Sequence, residues 1–149
     1  MGAETAARII IFYDVGLALG RLVSGLVAGK IHSWKIVRIG YGILGTGILA
    51  LILPGNIPLA AAGFFLIGFG NGPMFPNFSY LTPIIFGEEA SPSVMGVQMA
   101  ISSLSSMTTP ILCGFLGQQI GMWIFPLYLL IFFIGMTVTG LRVNKVFWQ

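Results

Sequence analysis

The sequence contains very little charge. Only 7% of its 149 residues are Asp, Glu, Lys or Arg, whereas 56% are hydrophobic, and the mean hydropathy is +0.97. A water-soluble domain carries about 25% charged residues, so this composition excludes an ordinary soluble domain. One membrane span needs roughly 20 apolar residues. The chain therefore has room for about five or six spans.

The chain also lacks the residues of most enzyme and metal sites. It has one cysteine, Cys113, and one histidine, His32. An internal disulfide, a cysteine cage for a metal and a two-histidine zinc site are therefore excluded. No Walker A, GxSxG or HExxH motif occurs, and we expect no enzymatic activity, no cofactor and no metal. The net charge of +3 does not indicate a nucleic-acid partner, because the basic residues fall in short loops.

Long apolar runs are what the sequence does contain. They predict an all-α polytopic membrane protein in which residues 1–149 form a single membrane domain. Five spans are predicted, at about residues 8–29, 37–53, 59–83, 93–117 and 122–141. Ser91 or Ser93 is expected to cap the fourth span. The second span carries four glycines, which predict close packing against other helices rather than chemistry: Gly40, Gly42, Gly45 and Gly47.

The basic residues predict how the chain is oriented in the cell membrane. Five of them share one side of the five-span topology: Lys30, Lys35, Arg38, Arg142 and Lys145. Only Arg8 lies on the other side. The positive-inside rule places the first loop and the C-terminus in the cytoplasm and the N-terminus outside. Three tryptophans fall near predicted interfaces, as in an aromatic belt: Trp34, Trp123 and Trp148.

The third span is interrupted at membrane depth. Residues 68–83 read GFGNGPMFPNFSYLTP. Backbone groups freed by proline find no water in lipid, so such a break is tolerated only against protein or a wet cavity. Gly70, Gly72, Pro73 and Pro76 are therefore predicted to bend the helix during gating.

Two asparagines accompany this break. Asn71 is predicted near the bilayer midplane and Asn77 nearer the cytoplasm. Both are candidates for substrate binding or for the translocation pathway. For Asn71 the alternative is that its side chain binds backbone carbonyls freed by the prolines.

Two charged residues lie inside the first span. Asp14 and Arg21 are seven residues apart, so they project from nearly the same face, about 10 Å apart along the axis. Each costs about 2.5–3.5 kcal/mol at mid-bilayer, so the span needs neighbours or a wet cavity. Both are candidates for the pathway; the alternative is a structural pair in which Arg21 reaches the inner interface. We expect the same face to carry Gly16xxxGly20xxxSer24 as a helix contact.

The fourth span carries a polar stripe. Its members follow one helical face: Gln98, Ser102, Ser105, Ser106 and Thr109. The stripe predicts a cavity or another helix, because lipid would leave it unsatisfied. Serine can bond its own backbone, so Gln98 is the stronger candidate for the pathway, followed by Ser102 and Ser106. Bonding between helices is the alternative.

Four short motifs occur in a recognisable order. Residues 16–25 read G-x-x-x-GR-x-x-SG, residues 68–77 read GFGNGPMFPN, residues 95–100 read MGVQMA, and residues 110–114 read P-x-x-x-G. Together they resemble the C-terminal half of a major facilitator superfamily transporter, with the fucose/glucose-permease-like sugar transporters as the most similar subgroup. The resemblance implies that the five spans are the last five of the family's twelve helices. It also implies that the first, third and fourth spans border the central cavity.

The same resemblance implies a function and a partner. The chain is expected to be a fragment of a secondary active transporter that moves a sugar-like or other small polar organic solute by alternating access. The missing N-terminal half of that transporter would be its partner, and Asp14 is the candidate for proton coupling. Residues 25–30 resemble the family's loop motif G-x-x-x-D-[RK], with Gly29 in place of the acid. Tyr13, Phe75 and Tyr80 are aromatic residues that either stack on a sugar or pack.

Two other functions remain open. A non-transporting scaffold or assembly subunit would use the five spans and their glycine faces for oligomerisation. A channel is indicated only by residues 66–70, LIGFG, which faintly resemble the TVGYG filter of potassium channels.

Overall fold

The described part of the chain is all-helical. The computed structural model describes residues 3–53, 57–121 and 124–147, and within these ranges it contains six helices and no strand. The helices are α1 (Ala3–Val27), α2 (Ser33–Ile52), α3 (Ile57–Asn71), α4 (Met74–Phe86), α5 (Ser91–Ile120) and α6 (Ile124–Phe147). The predicted all-α polytopic fold is confirmed.

Five stretches of the described ranges are long and apolar enough to cross a membrane. They are Ile9–Val27, Ser33–Ile52, Ile57–Phe86, Ser91–Gln119 and Phe125–Val143. The third of these contains both α3 and α4, so the interrupted span is two helices in line along the sequence. Since a span needs roughly 20 apolar residues, a multi-pass membrane protein follows from these lengths.

Helix α2 begins earlier than predicted. Its first residue is Ser33, and the Trp34 backbone N–H donates to Nδ1 of His32 at 3.4 Å, so His32 caps the helix. A side-chain acceptor before the first turn satisfies one of the orphan N–H groups there. Lys35 and Arg38 therefore lie in the first two turns of α2 rather than in a loop.

Trp34 does not face lipid or water. Its side chain is only 5% exposed, and its ring meets that of Phe78 edge-on with centroids 6.2 Å apart. Trp34 lies at the predicted membrane boundary, but it packs inside the protein instead of forming part of an exposed aromatic belt. Trp123 and Trp148 lie outside the described residues.

Helix α5 begins without the predicted serine cap. Ser91 is its first helical residue and Ser93 lies within it, whereas Ala90 occupies the cap position and makes no side-chain bond there. The expectation that Ser91 or Ser93 caps the helix is wrong. Pro92 in the first turn explains why a cap is dispensable, because its fixed φ is already helical and it has no N–H to satisfy.

The chain divides into two compact units, residues 1–78 and 79–149. In the first unit, α3 packs along both α1 and α2. Four glycines make the contact between α1 and α3, which we call the glycine seam: Gly16, Gly20, Gly68 and Gly72. A Cβ on Gly72 would lie 2.6 Å from the carbonyl oxygen of Leu17, and a Cβ on any other seam glycine would approach a partner carbonyl more closely still.

The seam is reciprocal, because each helix presents glycines to the main chain of the other. Gly16 and Gly20 face the carbonyls of Phe65 and Phe69, while Gly68 faces that of Tyr13. Only glycine allows two helical backbones to touch in this way. The predicted helix contact at Gly16 and Gly20 is therefore confirmed.

Helix α2 meets the opposite side of α3 through a second set of glycines. A Cβ on Gly40 would lie 2.8 Å from the carbonyl oxygen of Gly70, and one on Gly47 would lie 2.9 Å from that of Gly63. These positions confirm the packing role predicted for the second span. Gly42 differs, since a Cβ there would meet nothing within 4 Å.

The second unit contains the end of α4 together with α5 and α6. Helices α5 and α6 contact each other over a short stretch. In the spanning segment of α5 only the first residue, Ser91, is buried, and only about 6% of the apolar stretch of α6 is buried. The polar stripe of α5 is therefore uncovered by the described residues.

Candidate functional site

The interruption of the third span falls at Gly72 and Pro73, between α3 and α4. Pro73 has no N–H, so the carbonyl of Phe69 loses its helical donor. Gly72 still donates its N–H to the carbonyl of Gly68 at 2.9 Å. Pro76 lies in the first turn of α4, where a missing N–H leaves no helical bond broken.

Asn77 closes the break from the α4 side. Its Nδ2 donates to the carbonyl oxygen of Pro73 at 2.6 Å and to Oγ of Ser24 at 2.8 Å, and the residue is only 4% exposed. The same carbonyl accepts from the Asn77 backbone N–H at 3.3 Å, so the side-chain amide is its second donor. The side chain that binds a carbonyl at the break is thus Asn77, and it also ties α4 to α1.

Asn71 lies one residue before the break and bonds to α1. Its Nδ2 donates to the hydroxyl of Tyr13 at 3.1 Å in a partly buried position. Among the described residues, the Tyr13 hydroxyl hydrogen and the Asn71 amide oxygen have no other hydrogen-bond partner. The pair therefore has one uncharged donor, the Tyr13 hydroxyl, and one uncharged acceptor, the Asn71 amide oxygen, available to a ligand. Tyr13 immediately precedes Asp14 in the sequence.

Asp14 and Arg21 lie on the exposed side of α1. The buried residues Gly16, Gly20 and Ser24 face α3 and α4, whereas Asp14 and Arg21 are both exposed. At 100° per residue the two charges lie roughly 100–120° around the helix from the buried face. The expectation that charges and glycines share one face is therefore wrong.

Neither charge is neutralised within the described chain. Asp14 and Arg21 form no ion pair or hydrogen bond with another described residue. A charged group at membrane depth requires water or a partner. In a membrane, water or another polypeptide surface against this face would satisfy both charges.

Gln98 is used between helices of the second unit. Its Nε2 donates to Oγ1 of Thr82 at 3.2 Å, which joins α5 to α4, and Thr82 is only 2% exposed. Ser106 donates to its own helix at the carbonyl of Ser102, 2.9 Å away, and both serines are exposed. The geometry supports the helix-contact alternative for Gln98 and leaves the serines on an open face.

The structure thus brings some predicted residues together and separates others. In the first unit Asp14 adjoins the Tyr13–Asn71 pair, while Asn77 is enclosed one turn beyond the break. Gln98, Ser102 and Ser106 belong to the second unit. No group of His, Cys, Asp or Glu able to hold a metal occurs in the part of the chain that the structure describes.

From the sequence, Ser24 is predicted as part of a helix contact and Tyr13 as an aromatic candidate, but the hydrogen bonds that these residues make are not predicted. Thr82, the partner of Gln98, is not singled out by the sequence. The spacing of Gly16, Gly20 and Ser24 indicates a shared helical face, but nothing in the sequence identifies a partner on another helix.

Comparison with known proteins gives a family match. A family model described as Major Facilitator Superfamily matches residues 3–145. No curated protein and no solved structure matches the chain significantly.

Proposed function

Because the chain belongs to the major facilitator superfamily, whose members transport small solutes, we propose that it forms part of a secondary active transporter for a sugar-like or other small polar organic solute. Transport is by alternating access, in which two halves of the protein rock about a site near the midplane. The chain is a multi-pass membrane protein, and in this proposal its N-terminus lies outside the cell and its C-terminus in the cytoplasm.

The interrupted third span is the observation that carries this proposal. Transporters place substrate sites beside discontinuous helices, and this break lies between α3 and α4. Asn77 satisfies the Pro73 carbonyl at the break, and the glycine seam holds α3 against α1. The break requires glycine, proline and asparagine at particular positions, and this requirement indicates that the break has a function.

The chemistry beside the break suits a polyhydroxylated solute. The Tyr13 hydroxyl and the Asn71 amide oxygen supply a neutral donor and acceptor, and a sugar hydroxyl uses both kinds of group. Asp14 follows Tyr13 directly and lacks a described counter-ion, so in our proposal it carries the coupling proton. Arg21 lies two turns further along the same exposed face of α1. In our proposal its positive charge raises the electrostatic potential of that face.

The uncovered face of α5 indicates that other polypeptide completes the protein. In the spanning segment of α5 only its first residue, Ser91, is buried by the described residues, yet the exposed remainder carries Ser102 and Ser106. We assign its cover to the N-terminal half and the first helix of the C-terminal half of the transporter. In a scaffold protein a second copy would cover it instead. The upstream coding sequence separates the two: further spans in frame support the transporter, and an in-frame stop supports the scaffold.

Solute uptake tests the proposal directly. The full-length parent is reconstituted in liposomes, and uptake of a panel of labelled sugars, polyols and amino acids is measured with and without a pH gradient. We expect at least one sugar or polyol to accumulate. Uptake confined to amino acids, or absent for every solute under both conditions, would contradict the proposed substrate class.

The role of Asp14 needs its own comparison. Asp14→Asn should abolish accumulation driven by the pH gradient while leaving solute exchange across the membrane intact, because exchange needs no net proton movement. Glu88→Gln is the matched control, since it removes an exposed acid outside the helices and should change neither activity. Gradient-driven accumulation that survives in Asp14→Asn would exclude the coupling role.

A further inference from the structure

An apolar cleft of about 110 Å³ lies between α1 and α2 in the first unit. Aliphatic side chains of the two helices form its walls, among them Val23 and Ile39, and Phe69 and Pro73 complete the lining. The one polar side chain in the lining is that of Ser24, whose hydroxyl oxygen already accepts from Asn77 at 2.8 Å. The cleft therefore has almost no group that could hydrogen-bond to water.

The shape of the cleft suits a hydrocarbon chain. Its lining runs from Gly20 to Val27 along α1 and from Ile36 to Ile43 along α2, each a distance of about 10 Å. The lining is almost entirely apolar and the cleft is open on one side, so an apolar chain can enter it from the surrounding lipid. In a bilayer the apolar groups that surround the protein are the acyl chains of lipids.

Three cations lie close in sequence to the cleft lining, in the α1–α2 loop and the first two turns of α2. Lys30, Lys35 and Arg38 are exposed, and each immediately precedes a lining residue in the sequence: Ile31, Ile36 and Ile39. Residues 15–87 contain no Asp or Glu. The three cations therefore have no carboxylate within this whole stretch of chain to neutralise them.

We propose that this helical hairpin binds one anionic phospholipid. The acyl chain occupies the cleft, and the phosphate lies among Lys30, Lys35 and Arg38. Basic pockets between transmembrane helices bind anionic headgroups in this way. Each cation near the membrane surface strengthens such binding about fivefold.

Spin-labelled lipids measure the binding. The purified chain is reconstituted in phosphatidylcholine vesicles, and the immobilised fraction is compared for labelled phosphatidylglycerol and labelled phosphatidylcholine. We expect a preference for phosphatidylglycerol that Lys30→Gln with Lys35→Gln lowers about 25-fold, fivefold for each cation removed. Lys30→Arg with Lys35→Arg should retain it, because the charge is kept.

A matched double variant separates the site from general surface charge. Arg142→Gln with Lys145→Gln removes the same charge from exposed positions of α6 and should lower the preference less than twofold. Equal losses in the two double variants would overturn the proposal. Helical content by circular dichroism shows whether each variant is folded, and native mass spectrometry of the unmodified chain with mixed lipids gives an answer independent of any variant.

The acyl chain is tested by filling the cleft. Val23→Phe keeps every charge and should remove the immobilised lipid signal. If the signal is unchanged, or if glycerol phosphate in solution displaces all of the labelled phosphatidylglycerol, only the headgroup binds and the cleft proposal is wrong. If Val23→Cys cross-links to a second copy of the chain in lipid-rich vesicles, a protein occupies the cleft instead.

Discussion

Replacing Gly20 by Ala should loosen the contact between α1 and α3 and destabilise the protein. Gly20 belongs to the glycine seam, where a Cβ would overlap the carbonyl of Phe69. The obstacle is main chain, so no side chain can rotate away to make room. The two helices must move apart along the seam.

The size of the effect follows from the distances at the seam. The smallest overlap in the seam is at Gly72, whose Cβ would lie 2.6 Å from the Leu17 carbonyl oxygen, whereas ordinary contact begins at 3.4 Å. The overlap at Gly20 is larger, so the helices must separate there by at least about 0.8 Å, which forfeits a quarter to a half of the dispersion energy of the facing atoms. Overpacking of this kind costs about 1–3 kcal/mol, and the better helix propensity of Ala returns up to about 1 kcal/mol. We therefore expect Gly20→Ala to be about 1–3 kcal/mol less stable than a Gly→Ala variant at an open helical position, in which the propensity gain is the same.

Reversible unfolding of the purified chain in mixed micelles, followed by circular dichroism, measures this loss. Gly25→Ala is the matched control, because Gly25 lies on the same helix and a Cβ there would meet nothing within 4 Å. It should leave stability unchanged or raise it by up to about 1 kcal/mol. If Gly20→Ala proves as stable as Gly25→Ala, the helices do not touch through their backbones and the reasoning fails.

Three further predictions concern the buried polar contacts and the solute. Asn77→Ala should cost about 1–3 kcal/mol, because the buried Ser24 hydroxyl loses its donor and the Pro73 carbonyl keeps only the backbone N–H of residue 77. A double-mutant cycle with Ser24→Ala should give a coupling of about 0.6–1.7 kcal/mol, and strict additivity would contradict the bond. Gln98→Leu should cost about 0.6–1.7 kcal/mol in the same unfolding assay, while Ser102→Ala, at an exposed position, should change nothing measurable. Tyr13→Phe should raise the KM for uptake by the full-length parent up to about tenfold, and an unchanged KM would show that its hydroxyl does not bind the solute.

The helices themselves were predictable, because a membrane span must be long and continuously apolar. Their ends were less so. Whether a residue caps a helix depends on its own backbone angles and on the residue that follows, and these are not visible in the apolar pattern. His32 caps α2, although the sequence places it in a predicted loop. Ala90 occupies the cap position of α5 without a side-chain bond, and Pro92 in the first turn has no N–H that needs an acceptor.

The candidate site was predictable in its members but not in their contacts. Asp14 and Asn71 are conspicuous because polar residues are rare at membrane depth. Which asparagine binds a carbonyl at the break depends on how the chain turns at Gly72 and Pro73, and a helical wheel is not continuous across that turn. The structure gives this bond to Asn77 and gives Asn71 the Tyr13 hydroxyl.

The glycine seam also determines where this protein tolerates mutation. At the seam, α1 and α3 touch through carbonyl oxygens, and every amino acid carries the same carbonyl. The identities of the residues that supply them, such as Leu17 and Phe65, are therefore irrelevant to this contact. A library randomised at Leu17 and Phe65 should retain many stable variants, whereas one randomised at Gly16 or Gly20 should return almost only glycine.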